Sequence, residues 1–163
     1  METSTLTFEN LRRVLEEYGK HAETLYKYNI ALAGKNASRT LANNTKYFVK
    51  SEGVTFSVGL RLEEYWKYVE YGRKPGKFPP PSAILKWIEV KPVIPRPDDK
   101  GRIPKPQTLA FLIGRKIATE GIKPTPVLQT TVEELNNTFL ERIREALKQD
   151  IGDALAIIST KQF

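Results

Sequence analysis

Between Lys91 and Pro106 the chain reads "KPVIPRPDDKGRIPKP", five prolines in sixteen residues. Proline lacks the N–H that a helix interior or a central strand needs, so neither can run through this stretch. "DDKG" at its centre is a turn signal. The expectation is a protruding two-armed loop over residues 92–106, extended or loosely paired. It divides the chain into a leading part and a trailing part.

The leading part opens with a helical pattern. Leu11, Val14, Leu15, Tyr18, Ala22, Leu25 and Leu32 recur at three- and four-residue steps and make one apolar stripe. Thr7 is the expected N-cap and Gly34 the expected stop. "TKYFVKS" (45–51) and "VTFSVGLR" (54–61) are rich in β-branched and aromatic residues and predict a hairpin, with Val54, Phe56 and Val58 on its half-buried face. "EYWKYVEYG" (64–72) suits either a strand or a helical turn. Pro79, Pro80 and Pro81 make a stiff entry. Ser82 is placed to cap the helix "AILKWIEV", with Ile84, Leu85, Trp87 and Ile88 facing inward.

In the trailing part, "QTLAFLIGRKIATEG" (107–121) predicts a helix with Leu109, Ala110, Leu112, Ile113 and Ile117 buried. A long helix from about residue 126 carries Leu128, Val132, Leu135, Phe139, Ile143 and Leu147, and Gly152 is a candidate break. The fold class expected is α+β. A small antiparallel β-sheet packs against a long N-terminal helix and C-terminal helices, in a single domain over 1–163. Its core covers about 7–150, and residues 151–163 form an extension ending in a helical turn or a closing strand.

Composition narrows the function. The chain has no cysteine and one histidine, His21, so disulfides, thiolate metal sites and His-rich metal sites are excluded. A Ser-His-Asp arrangement would need His21, which lies mid-helix with no nucleophile motif near it. The carboxylate doublets Glu16–Glu17, Glu63–Glu64, Asp98–Asp99 and Glu133–Glu134 are sequence neighbours whose side chains point apart, so none forms an acid/base pair by itself. "GRKPGK" (72–77) lacks the Gly-Lys-Ser/Thr ending of a phosphate loop. No apolar run approaches the roughly 18 to 20 residues of a membrane span, and the N-terminus has no basic start followed by an apolar stretch, so no secretory signal is expected. No cofactor is expected.

The formal net charge is +7, and residues 73 to 123 carry twelve Lys and Arg against four Asp and Glu. The candidates to face DNA or an acidic surface are Arg73, Lys74, Lys77, Arg96, Lys100, Arg102 and Lys105. Phosphate contact needs only exposed charge. Tyr65, Trp66, Tyr68 and Tyr71 lie just before the first three cations. They suit base stacking, but such a cluster more often serves a core or a protein interface. The candidate subunit or partner interface is Tyr65, Trp66, Tyr71, Phe78, Pro79, Pro80, Ile94 and Ile103.

The order of these parts resembles the tail-completion (neck, or head–tail joining) proteins of tailed bacteriophages. The resemblance rests on "YWKYVEYG" (65–72), "PPSAILKWI" (80–88), "LAFLIGRKIATEG" (109–121) and "KPTPVLQTTVEEL" (123–135), in that order, within about residues 7 to 150. The chain departs from the pattern in its five-proline loop, where relatives have a shorter connection. It departs again in "PTPVLQTT", where they tend to carry an aromatic in place of Val127 or Leu128. The resemblance implies a non-enzymatic virion subunit, made in the bacterial host cytoplasm. It would form a ring with copies of itself, between portal or connector and tail proteins, with double-stranded DNA passing through the lumen. A basic DNA-binding accessory protein is the alternative.

Overall fold

In the computed structural model of the protein, described over residues 7–35, 40–90, 93–97 and 99–160, the first apolar stripe folds as helix α1, Glu9–Leu32. Leu11, Val14, Leu15 and Ala22 are buried, and Tyr18 and Leu25 half-buried. Beyond Ala22 the buried line continues in four-residue steps through Tyr26 and Ile30, while Leu32 is exposed. The helix closes in a Schellman motif. Lys35 N–H donates to the Ile30 carbonyl at 3.1 Å, and Gly34 N–H to that of Ala31 at 3.0 Å.

The start of α1 corrects the expected Thr7 cap. The capping oxygens come from Asp150, 140 residues away. Its Oδ1 accepts the Asn10 N–H at 3.0 Å and its Oδ2 the Leu11 N–H at 2.8 Å. One carboxylate thus satisfies two of the donors a helix start leaves unpaired, and puts negative charge at the positive end of the dipole.

After the single turn α2, Thr40–Asn43, strands β1, Lys46–Glu52, and β2, Thr55–Arg61, pair antiparallel with Lys46 opposite Arg61 and Glu52 opposite Thr55. Gly53 and Val54 form the two-residue loop, with glycine first. Val54 is therefore exposed in the turn, and the half-buried face is Phe56, Val58 and Leu60.

The tyrosine-rich stretch is helical: α3 is Trp66–Glu70. Helices α4, Pro81–Val90, and α5, Pro106–Glu120, each begin on proline, whose missing N–H is no loss at that position. Ser82, expected as a cap, lies inside α4. The Pro80 carbonyl takes the Ala83 and Ile84 N–H groups instead, at 3.1 and 3.4 Å. Of the inward set expected on α4, Ile84 is buried, Leu85 and Ile88 are half-buried, and Trp87 is exposed. On α5, Ala110 is buried, Leu109, Ile113 and Ile117 are half-buried, and Leu112 is exposed. Gly114 is the second buried position there.

Helix α6, Val127–Thr160, runs 34 residues, about 51 Å. It continues through Gly152, so the segment after Asp150 is helix to Thr160, with no strand and no separate turn. A single interior glycine costs about 1 kcal/mol, and the Asp150 bonds to α1 hold the helix two residues away. Its buried line is Thr131, Leu135, Phe139, Ala146 and Asp150, with Ile143 half-buried. Leu135, Phe139 and Ile143 hold from the expected stripe. Val132 and Leu147 are exposed, and Leu128 is half-buried.

The fold is α+β, and the chain falls into two compact units. The first holds α1 to Tyr28, the hairpin, and α6 from Leu128. Its core is Val14, Ala22, Leu135, Phe139 and Ala146, with Tyr18, Leu25, Leu60 and Ile143 packed against it. The second holds Asn29–Asn44 and Leu62–Val127, where α4 packs on α5.

Glu23 ties the hairpin to α1. Its carboxylate accepts the Tyr47 N–H at 3.0 Å and bonds Lys27 Nζ at 2.6 Å, with Lys46 Nζ at 3.6 Å. Burial pushes its pKa up, but the Lys27 and Tyr47 hydrogen bonds and the two lysine charges outweigh burial and hold it below the ordinary 4.5. A carboxyl depressed in the folded state stabilises above its unfolded pKa, and the effect is lost as pH falls through the folded value. Acidification from neutral pH to below the ordinary glutamate range is therefore expected to reduce hydrogen-exchange protection at the Tyr47 amide. Glu23→Gln should show reduced protection already at neutral pH and little further acid dependence. The same acid dependence in the variant as in the parent would assign the effect to another group.

Candidate functional site

The stretch from Gly72 to Pro81 is a shoulder clamped onto the end of α5 within the second unit. Arg73 and Ile122 exchange backbone hydrogen bonds at 2.9 and 2.8 Å, an isolated antiparallel bridge. Gly76 N–H donates to the Ala118 carbonyl at 2.7 Å, and Thr125 N–H to that of Val69 at 2.8 Å. The crossing is close because glycine stands on both sides of it. Gly72 has φ +68°, and a β-carbon there would meet the Ile122 oxygen and the Pro124 nitrogen. At Gly121 one would meet the Arg73 oxygen.

Phe78 anchors the other end of the shoulder. Its ring stacks on Phe111 with centroids 5.8 Å apart. It also lies over Gly114, where a β-carbon would strike Phe78 and Ile84. The sequence reading passed over Gly114, although a glycine inside an otherwise helical pattern is a signal of close packing.

The expected interface residues are not one surface. Pro79 is buried, a correction: it belongs to the packing of the second unit, and its ring has the rigidity and apolarity that suit that place. Phe78 is exposed at its edge while its ring face packs. Trp66 is half-buried, with its ring 5.9 Å from that of Tyr71. Tyr65, Tyr71 and Pro80 are exposed, Tyr71 at 72%. On the arm, Ile94 is 91% and Ile103 69% exposed.

The expected cations divide in the same way. Arg73 is half-buried, and its Nη2 donates to the Lys77 carbonyl at 2.6 Å, so its guanidinium closes its own loop. Lys74, Lys77, Arg96, Lys100, Arg102 and Lys105 are exposed. Lys105 also serves α5 through its backbone, whose carbonyl accepts the Leu109 N–H at 2.9 Å. A phosphate cradle does not form at the head of α4: Pro79, Pro80 and Pro81 have no N–H, and the Ala83 and Ile84 N–H groups are spent on Pro80.

The arm has no strand among its described residues. Residues 93–97 and 102–105 form neither helix nor strand, with a turn at Asp99–Lys100 between them; Pro92 and Asp98 lie outside the described residues. Two isoleucines and a set of cations are thus presented on a proline frame.

His21 sits on α1, its Nδ1 2.9 Å from the Glu17 carbonyl and its ring 5.3 Å from that of Phe139. Glu17 pairs with Arg142, whose hydrogen bond holds the Glu17 carboxyl below its ordinary range. Both are packing contacts of the first unit. Among the described residues no three His, Cys, Asp or Glu gather in a way that would hold a metal, and no helix is long and apolar enough to cross a membrane.

Sequence reasoning missed one surface. Along α6 from its middle onward, Leu140, Leu147, Ile151, Leu155, Ile157 and Ile158 are exposed. The apolar richness of "DALAIIST" was the available signal, hidden by the expected break at Gly152. Comparison of the chain with family models, curated proteins and solved structures finds no match.

Proposed function

We propose that the chain is a non-enzymatic structural subunit of a tailed-bacteriophage virion. In this reading it assembles with copies of itself as a ring at the head–tail junction, between portal or connector and tail proteins, with DNA passing through the lumen. The observation that carries the reading is the arm. An isoleucine side chain is worth about 1.5–3 kcal/mol when fully buried, and here two stand in solvent on a stiff support. Proline-rich segments lose little entropy on docking, which suits them to subunit contacts. The order of motifs from Tyr65 to Leu135 supports the same reading.

A second reading, a basic DNA-binding accessory protein, is favoured by the exposure of Lys74, Lys77, Arg96 and Lys105. Light scattering at low and high salt, with and without short duplex DNA, separates the two. The ring subunit is expected at a multiple of the 18.6 kDa monomer mass, unchanged by DNA. Deleting residues 93–105 should return it to the monomer with an unchanged circular dichroism spectrum. A monomer that binds DNA at low salt and releases it at high salt would favour the accessory protein. Unfolding on deletion would make the arm core structure and remove the support for the ring.

A further inference from the structure

We propose that the proline arm of one copy docks head to tail on a second copy. Its seat is the groove between the start of α1 and the last turns of α6. The proposal rests on the ring-subunit reading and names the seat of its arm.

The groove encloses about 420 Å³. It is lined by Ile151, Leu155, Ile157 and Ile158 together with the acidic Glu9 and Asp153. Asp150 also lines it, but its carboxylate is engaged with the α1 N–H groups. From Gln149 to Thr160 the chain has two acidic residues and no basic one. The last turn of α6 carries no cation, although the carbonyl end of a helix favours positive charge. The groove therefore offers apolar contact beside two carboxylates.

The arm has the complementary chemistry. Ile94 and Ile103 supply the apolar contact, and Arg96 and Lys105 the positive charge, all exposed. Each leg is four or five residues outside helix and strand, at most about 15 Å at the rise of a polyproline helix. The α6 residues that line the groove, Asp150 to Ile158, span about 12 Å at helical rise, comparable to one leg. Pairing of two α6 faces is the competing use of this surface. Arm-in-groove contact is heterologous, with a different face on each copy, and such contacts generate rings when the rotation closes.

The absence of cysteine makes the test clean. Ile103→Cys and Ile157→Cys place one thiol each on exposed positions of the arm and the groove. The two full-length variants are checked by circular dichroism, mixed in equal amounts, oxidised, and read by non-reducing mass analysis beside light scattering. The expected product is a mixed disulfide that predominates over either homodimer, and that is lost when the arm partner also carries Arg96→Glu and Lys105→Glu. Homodimers of Ile157→Cys predominating would mean that α6 pairs with α6, which overturns the docking. Assembly without any cross-link would also overturn it, and would leave the ring reading standing. Monomers at every concentration with no cross-link would overturn both.

Discussion

Phe139→Ala is expected to destabilise the first unit by about 3–5 kcal/mol, the range for truncating a large buried aromatic. Phe139 is 2% exposed at the centre of the α1–hairpin–α6 core. Its ring meets Tyr18 edge-on at 5.5 Å and His21 at 5.3 Å, and the Arg142 guanidinium lies 4.8 Å from its centroid. Alanine removes the burial, two ring contacts and a cation–π contact, and leaves a cavity that α1 and α6 cannot both collapse into while Asp150 holds them together. Phe139→Leu keeps most of the volume and should cost much less. Urea unfolding followed by far-UV circular dichroism measures both. A loss below about 1 kcal/mol for alanine, where surface substitutions fall, would mean that the core is not centred on this residue.

That core was largely legible. Val14, Ala22, Leu135 and Phe139 lie on stripes whose helical period is explicit in the sequence, and the hairpin was set by two β-rich runs around Glu52–Gly53. The misreadings share a cause: the partner lay far away in the chain. Thr7 was the local choice for a cap, and nothing in "TLTFEN" indicates that Asp150 takes the place. Val54 looked like a strand residue until the register put it in the turn. Gly152 carried a break signal that is real in an isolated helix and is overruled when a neighbouring residue is anchored by tertiary bonds.

The candidate site was legible in its composition more than in its geometry. The arm followed from proline chemistry alone, and the absence of helix and strand among its described residues agrees with that derivation. The shoulder did not follow. Arg73, Lys74 and Lys77 look equivalent in "GRKPGK", yet Arg73 is turned into its own loop while the lysines face solvent. Pro79 and Pro80 are neighbours of one type, and one is buried while the other is exposed. Arg73 turns in to the Lys77 carbonyl, and the loop that brings them together is pinned by the Ala118 and Ile122 carbonyls, which come from beyond the arm.

Gly72→Ala tests that geometry and is expected to cost the second unit about 3 kcal/mol. Two terms contribute. A side chain held at positive φ stores about 1–3 kcal/mol of strain, and Gly72 has φ +68°. The new β-carbon would also meet the Ile122 oxygen and the Pro124 nitrogen, which are backbone atoms and cannot rotate aside. Relief requires the Arg73–Ile122 bridge to open, losing two hydrogen bonds worth about 0.5–1.5 kcal/mol each. Gly101→Ala is the control: its φ is +75°, but no atom lies within 4 Å of the added carbon, so strain acts alone and the cost should be smaller. Amide exchange at Arg73 and Ile122 reports the bridge directly and should rise only in the Gly72 variant. With the bridge open, Lys74, Lys77 and Phe78 lose the frame that fixes them ahead of α4, so assembly should weaken even at temperatures where the unit remains folded. Equal costs for the two variants, with exchange unchanged, would mean that the shoulder is held by Phe78 and the prolines alone.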